Sequence, residues 1–168
     1  GEINSSRSSY AGIGLLQSFD KGKTWKNIGL TDSHHISKIL VNPKNSQEIV
    51  VGVAGHLYTK NKERGVFKTT DGGKSWQQVL FVNDETGVID MAVAESNFTV
   101  MYASAWQKDR KAHNFNGNGK ASGIYKSTDA GLTWQLVSTP ESGFPSDEFV
   151  GRIGLSAFTS DIIYAVMD

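Results

Sequence analysis

Three copies of one octet constrain this chain more than anything else in it: SFDKGKTW at residues 18–25, TTDGGKSW at 69–76 and STDAGLTW at 127–134. The match extends outward, as GLLQSFDKGKTWKNI, GVFKTTDGGKSWQQV and GIYKSTDAGLTWQLV. Flanks such as Val66-Phe67 and Ile124-Tyr125 are β-branched or aromatic, and Gly and Asp punctuate the middle. Each copy therefore predicts strand, turn, strand. Between the copies a second unit recurs, as ISKILVNPKNSQEIVVGVAG, VIDMAVAESNFTVMYASAW and RIGLSAFTSDIIYAVMD. It predicts another hairpin, turning near Asn42-Pro43, Glu95-Ser96-Asn97 and Thr159-Ser160.

Asp20, Asp71 and Asp129 stand 51 and 58 residues apart. Four antiparallel strands in a period of that length predict a β-propeller blade, and an all-β chain. Residues 1–30 then form a half blade, 31–82 and 83–139 full blades, and 140–168 a second half blade. That is about three blades' worth, whereas a closed ring normally needs about four or more. The expectation is a fragment of a larger propeller, its terminal sheets covered by the remaining blades of a longer parent or by self-association through open sheet edges.

The octet has a physical reading of its own. The carboxylates of Asp20, Asp71 and Asp129 are expected to accept bonds from backbone N–H groups two or three residues on, replacing ladder bonds that the turn cannot make. Gly22, Gly73 and Gly131 follow where the chain needs a positive φ. The hydroxyls of Thr24, Ser75 and Thr133 can supply further turn bonds, and Ser18, Thr69 and Ser127 open each octet as structural positions. Trp25, Trp76 and Trp134 are expected to cover their own hairpins. The octet thus reads as self-contained construction. One carboxylate per copy falls short of the six or more oxygens that a hard cation wants, so no metal and no cofactor is expected.

Composition removes other classes. Lys plus Arg and Asp plus Glu are 17 each, so no net field favours nucleic acid. The longest apolar run, 49–55, is too short to cross a bilayer as a helix. With no cysteine there is neither a disulfide framework nor a thiolate metal site. The first Met is Met91, so the lack of a visible leader carries no information about compartment.

The octets resemble Asp boxes, the bacterial neuraminidase repeats of sialidases, xyloglucanase-type glycosidases and sortilin-type propellers. Over nearly the whole chain GEINSSRSSYAGIG, DSHHISKILVNP, GHLYTKNKERGVFKTTDGGKSW and TGVID are similar to bacterial sortilin-like repeat proteins, often labelled glycosyl hydrolases from the repeat alone. The resemblance implies that the octets sit at outer turns, away from the ligand face. A secreted, periplasmic or cell-surface module that binds a glycan or polypeptide is the resulting expectation.

With the strands of each blade lettered A to D from the axis outward, the octets are C–D turns and share one side with the A–B turns. The opposite side then collects 31–35, 55–64, 82–87, 106–121 and 139–149. In WQKDRKAHNFNGNGKA, Trp106, Lys108, Arg110, His113, Asn114 and Phe115 mix stacking and hydrogen-bonding groups, as sugar or peptide sites do; an exposed insertion with solvated charges is the plainer alternative. Alignment of the innermost strands places Lys38, Asp90 and Arg152 together at the channel mouth, with His34 and His35 just before and Glu2 and Arg7 entering from the preceding blade. They suit either a ligand contact or a polar channel of paired charges. Adjacent histidines on an extended strand point to opposite faces and make poor metal ligands. His56 and His113 lie on other loops and complete no site by sequence.

Catalysis has no signature. Glycoside hydrolysis needs two carboxyl groups across the bond, one held protonated. Glu2, Asp32, Glu63, Asp84, Asp90, Asp109, Asp147 and Glu148 are available, and nothing in the sequence pairs them. Arg152-Ile153 is followed by Gly154, not by the proline of a sialidase motif, and no nucleophile elbow, phosphate loop or zinc-protease helix occurs. A glycosidase completed by further blades, and a purely structural repeat, both remain open.

Overall fold

The computed structural model describes residues 1–95 and 97–168; of the turn expected at Glu95, Ser96 and Asn97, Ser96 lies outside the described residues. The chain opens with an irregular segment and a short hairpin of β1 (Leu16–Gln17) and β2 (Lys26–Asn27). β3 (Ile36–Asn42), β4 (Asn45–Val53), β5 (Gly65–Thr69) and β6 (Gln77–Leu80) follow as one antiparallel sheet in sequential order. β7 (Thr86–Ala94) and β8 (Asn97–Gln107) begin the next sheet. A small hairpin, β9 (Asp109–Arg110) with β10 (Phe115–Asn116), interrupts that sheet before β11 (Gly123–Ser127) and β12 (Gln135–Leu136) complete it. β13 (Ile153–Ala157) and β14 (Ile163–Met167) pair alone. Two four-stranded blades between two half blades are the propeller segment that the repeats predict.

The core lies between sheets. Leu15, Ile28 and Leu30 of the first half blade pack on Ile49, Val51 and Val53. Val50, Val66 and Leu80 meet Val88, Met91 and Met101 of the second complete blade. Tyr102 and Ile124 of that blade then meet Val150 and Ile153. Because both faces of β4 are covered, all of Ile49 to Val53 is buried, and the run IVVGV is continuous rather than alternating. Each fully buried aliphatic side chain of this kind contributes about 1.5–3 kcal/mol.

The octet bonds recur three times with one correction. In the second copy Asp71 Oδ1 accepts from the N–H groups of Lys74 and Ser75 at 2.9 and 3.0 Å, three and four residues on rather than two or three, and Oδ2 accepts the Ser75 hydroxyl at 2.6 Å. The leading hydroxyl closes the near side, since Thr69 Oγ1 donates to Asp71 at 2.7 Å and accepts the Gly73 N–H at 3.0 Å. Hydrogen bonding to the ionised form holds the carboxyls low: the Thr24 hydroxyl and N–H bring Asp20 to about 2, and the Ser75 hydroxyl takes Asp71 lower still.

A second correction concerns the tryptophans. Two of the three do not simply roof their own hairpins. Trp76 packs against the preceding half blade beside Ile28 and Leu30, and Trp134 against the core of the preceding complete blade. The octet is therefore also a joint between blades, which a repeat read one copy at a time does not reveal.

Candidate functional site

The β4–β5 and β8–β11 connections emerge opposite the octets, together with the segments that link successive blades. Residues 1–12 cross the same side: the Gly12 N–H donates to His34 O at 2.7 Å, the Tyr58 hydroxyl to Arg7 O at 2.9 Å, and Ile3 packs on Ala54, Ile89 and Trp106. Glu2 is exposed and bonds within this segment, accepting from Asn4 and Ser9 at 2.9 and 3.1 Å. The Arg7 side chain is exposed.

Lys38 and Asp90 come together as the strand alignment implies. β3 and β7 carry bulges at matching places, between Ile36 and Lys38 and between Val88 and Asp90, so the two charged residues hold equivalent positions on neighbouring sheets. Their ion pair is 3.3 Å long. Asp90 Oδ2 also accepts the Leu155 N–H at 2.9 Å, so one carboxylate contacts residues of three successive sheets. Arg152 stands apart from the pair. Just ahead of β13, it lies 6.0 Å from the Trp106 ring centroid and reaches Asn4 Oδ1 at 3.4 Å.

The histidines depart from the extended-strand expectation. Residues 31–33 form a 3-10 turn and His34 has φ 56°, so β3 begins only at Ile36 and the two rings are not sent to opposite faces. The rings of His34 and His35 lie edge to face at 6.3 Å. His56, on a different loop, stacks on His34 at 3.7 Å with 12° between planes. Both His56 nitrogens are engaged, Nε2 with Asp32 O at 2.8 Å and Nδ1 with Thr59 Oγ1 at 3.0 Å. His35 is buried and its Nδ1 bonds Gly55 O at 2.8 Å. Desolvation, then the neighbouring His56, holds His34 below the ordinary imidazole range. Among the described residues no group of three or more His, Asp or Glu is placed to hold a metal ion.

Trp106 belongs to β8 rather than to the loop and is only 5% exposed, its Nε1–H donating to Gly117 O at 2.6 Å. Phe115 stands edge-on to it at 6.0 Å, and the Arg110 guanidinium lies 4.7 Å over the Phe115 ring. A turn closed by the Lys111 N–H to Asn114 O carries exposed His113 and Asn114 at the hairpin tip. The long connection thus brings Trp106, Arg110 and Phe115 into one cluster and leaves His113 outside it.

Two buried cations shape this face; Lys108 belongs to the group that the sequence singles out, whereas Arg64 does not. Arg64 donates to the carbonyls of Ala54, His56 and Thr59 at 2.8, 2.8 and 2.9 Å and so holds the 54–59 loop; burial lowers it to about 10. Lys108 reaches His56 O at 3.4 Å and is lowered to about 8 by burial, then by Arg64 and Arg110. The one sequence signal for Arg64 is its place directly before an apolar strand, where a bare positive charge needs buried acceptors.

Octet-bearing antiparallel sheets packed in series make this chain a segment of an Asp-box β-propeller. The Sortilin-Vps10 family model, described as "Sortilin, neurotensin receptor 3", matches residues 14–145, and the chain belongs to that family. Among solved structures it is similar to the GH74 xyloglucanase of Xanthomonas campestris, at 18% identity over 84% of this chain and 22% of that one, with a TM-score of 0.56. It is similar also to the GH74 enzyme of Niastella koreensis, at 16% identity over 92% of this chain and 23% of that one, with a TM-score of 0.58. This chain thus spans less than a quarter of either enzyme, and identities this low show the fold alone. No curated protein sequence matches.

Proposed function

We propose that this chain is a propeller module of a secreted, periplasmic or cell-surface protein, binding a glycan or polypeptide on the side opposite the octets. One observation carries the reading: the long connection after β8 folds into its own hairpin and sets Arg110 on Phe115 beside Trp106. Aromatic rings with a cation and polar groups at the rim suit ligand capture more than chain closure, for which a short turn suffices. The remaining blades of a longer parent, or another copy, would cover the two terminal sheets. Replacing Arg110, His113 and Phe115 with alanine should weaken capture on a glycan or peptide array while changing stability by no more than about 1 kcal/mol, because none of the three is fully buried. Unchanged capture would remove this hairpin from the site.

A glycoside hydrolase completed by other blades is the second reading, favoured by the likeness to two GH74 enzymes. Glu63 and Glu85 are both held low, by the side-chain bonds of Asn61 and Lys60 respectively, whereas a general acid must be held high.

A further inference from the structure

We infer that a cleft between the connection following β8 and the segment entering β13 is a subsite for a neutral pyranose ring, with Phe149 as its stacking platform. This rests on the proposal that this side of the propeller binds a ligand, and it chooses between the two ligand classes left open there. The cleft has a volume of about 480 Å³ and is lined by Gln107, Asn116, Asn118, Lys120, Glu148 and Phe149. That is within the range of ligand clefts.

A single exposed aromatic is ordinary on a protein surface. Here it is held out from an immobilised backbone. Phe149 is 71% exposed, while Val150 next to it is fully buried. The Phe149 N–H is fixed to Asp147 Oδ1 at 2.9 Å. Across the cleft, the Gly119 N–H donates to Val150 O at 3.1 Å, so the two walls are bonded to each other. Gln107 is fully committed to the frame, its Oε1 accepting from the Ala121 N–H at 3.1 Å and its Nε2 donating to Glu85 at 3.3 Å.

The groups presented by the cleft point to the ligand class. A peptide binds an open site largely through backbone groups or apolar pockets. In this cleft the backbone groups of Gly119 and Val150 are spent on each other, the Ser122 N–H goes to Gly119 O at 2.9 Å, and Gly117 O is taken by Trp106. The side chains that the cleft presents are one flat ring, the amides of Asn116 and Asn118, which among the described residues have no side-chain bond, and a loose Lys120–Glu148 pair at 3.9 Å. Each amide offers one acceptor and two donors, the complement of neighbouring hydroxyls, and the ring matches the C–H face of a sugar. Lys120 and Glu148 together bring no net charge to the cleft, so it offers a sulfated or uronic ring no net attraction, and a neutral ring needs none.

The test titrates the full chain calorimetrically with cellohexaose, mannohexaose and a galactose hexaoligosaccharide. At least one should bind. Phe149→Ala should then weaken it about tenfold, Asn118→Ala by a similar factor, and Phe149→Trp should retain binding. Thermal melts of these variants should match the parent chain, since Phe149 is exposed. Equal affinity for Phe149→Ala overturns the subsite, and so does a parent chain that takes up none of the three sugars. The wider proposal is judged separately. If the Arg110, His113 and Phe115 triple variant loses array capture while Phe149→Ala does not, the face is right and the cleft is wrong.

Discussion

The first and second octets share the same grammar and differ in what lies against them. In both, a leading hydroxyl and an Asp carboxylate close the turn with the same set of bonds. Trp76 is tucked on the preceding half blade and its Nε1–H crosses to Ile28 O at 2.7 Å. Trp25 has no sheet before it; it is 62% exposed and its Nε1–H turns back to Gly22 O at 3.0 Å. One motif therefore carries two separable energies. The turn's own bonds are common to every copy, while the joint between blades depends on a neighbour.

The largest separation of the two should come from the tryptophans. Trp76→Ala removes a packed ring and a bond across the joint, and should cost about 3 kcal/mol in urea unfolding. A loss below about 1 kcal/mol would show that the blades are held by the valine layers alone. Glycine gives a smaller contrast. Gly73 and Gly22 have nearly equal φ, 87° and 85°, so a methyl group at either incurs the same backbone strain. At Gly73 the added Cβ would also meet Ile28 Cδ1 at 2.8 Å, whereas at Gly22 the nearest atom is Trp25 Cζ2 at 3.7 Å. Gly73→Ala should cost about 2 kcal/mol and Gly22→Ala about 1 kcal/mol, and equal losses would deny the joint any part in the difference.

The carboxylates should show the common energy. Asp129 accepts from Ser127, Leu132 and Thr133, and Asp129→Ala should cost about 1 kcal/mol through turn donors left without a partner. The folded pKa of Asp20 and of Asp129 is near 2 against an unfolded value of 3.8, so the folded chain releases these protons first. Their stabilisation is present above about pH 4 and is lost as the pH falls through about 2. Acid should thus erode the two turns alike. A melting profile in which Asp129→Ala keeps the full acid slope of the parent chain would contradict this.

Much of the fold was legible because its signal is local and periodic. The octet, its hydroxyls and the apolar strands around it all fall within a few residues, and Lys38 with Asp90 could be paired by aligning two strands. The destination of Trp76 could not, since Ile28 lies 48 residues earlier and nothing in TTDGGKSW names it. His56 against His34 was hidden by a backbone turn that β-strand reasoning excludes, namely the positive φ at His34. Phe149 passed unremarked as the end of a loop. Its meaning depends on Val150 being anchored across the cleft, and that is a fact of packing rather than pattern.

The smallest expected effect is the most informative about the exposed joint. Trp25→Ala removes a ring that touches mainly its own turn, so the stability of the isolated chain should change by within about 0.5 kcal/mol. The ring is itself an exposed apolar surface, and Leu16 of the same hairpin is 42% exposed. Surfaces of that kind associate. If a second copy or a further blade uses Trp25 as the first half blade uses Trp76, the substitution should reduce concentration-dependent association in light scattering while leaving the melting temperature of the dilute chain in place. A drop in melting temperature at high dilution would instead mean that Trp25 is already packed within its own chain, and the contrast between the first two octets would be one of degree.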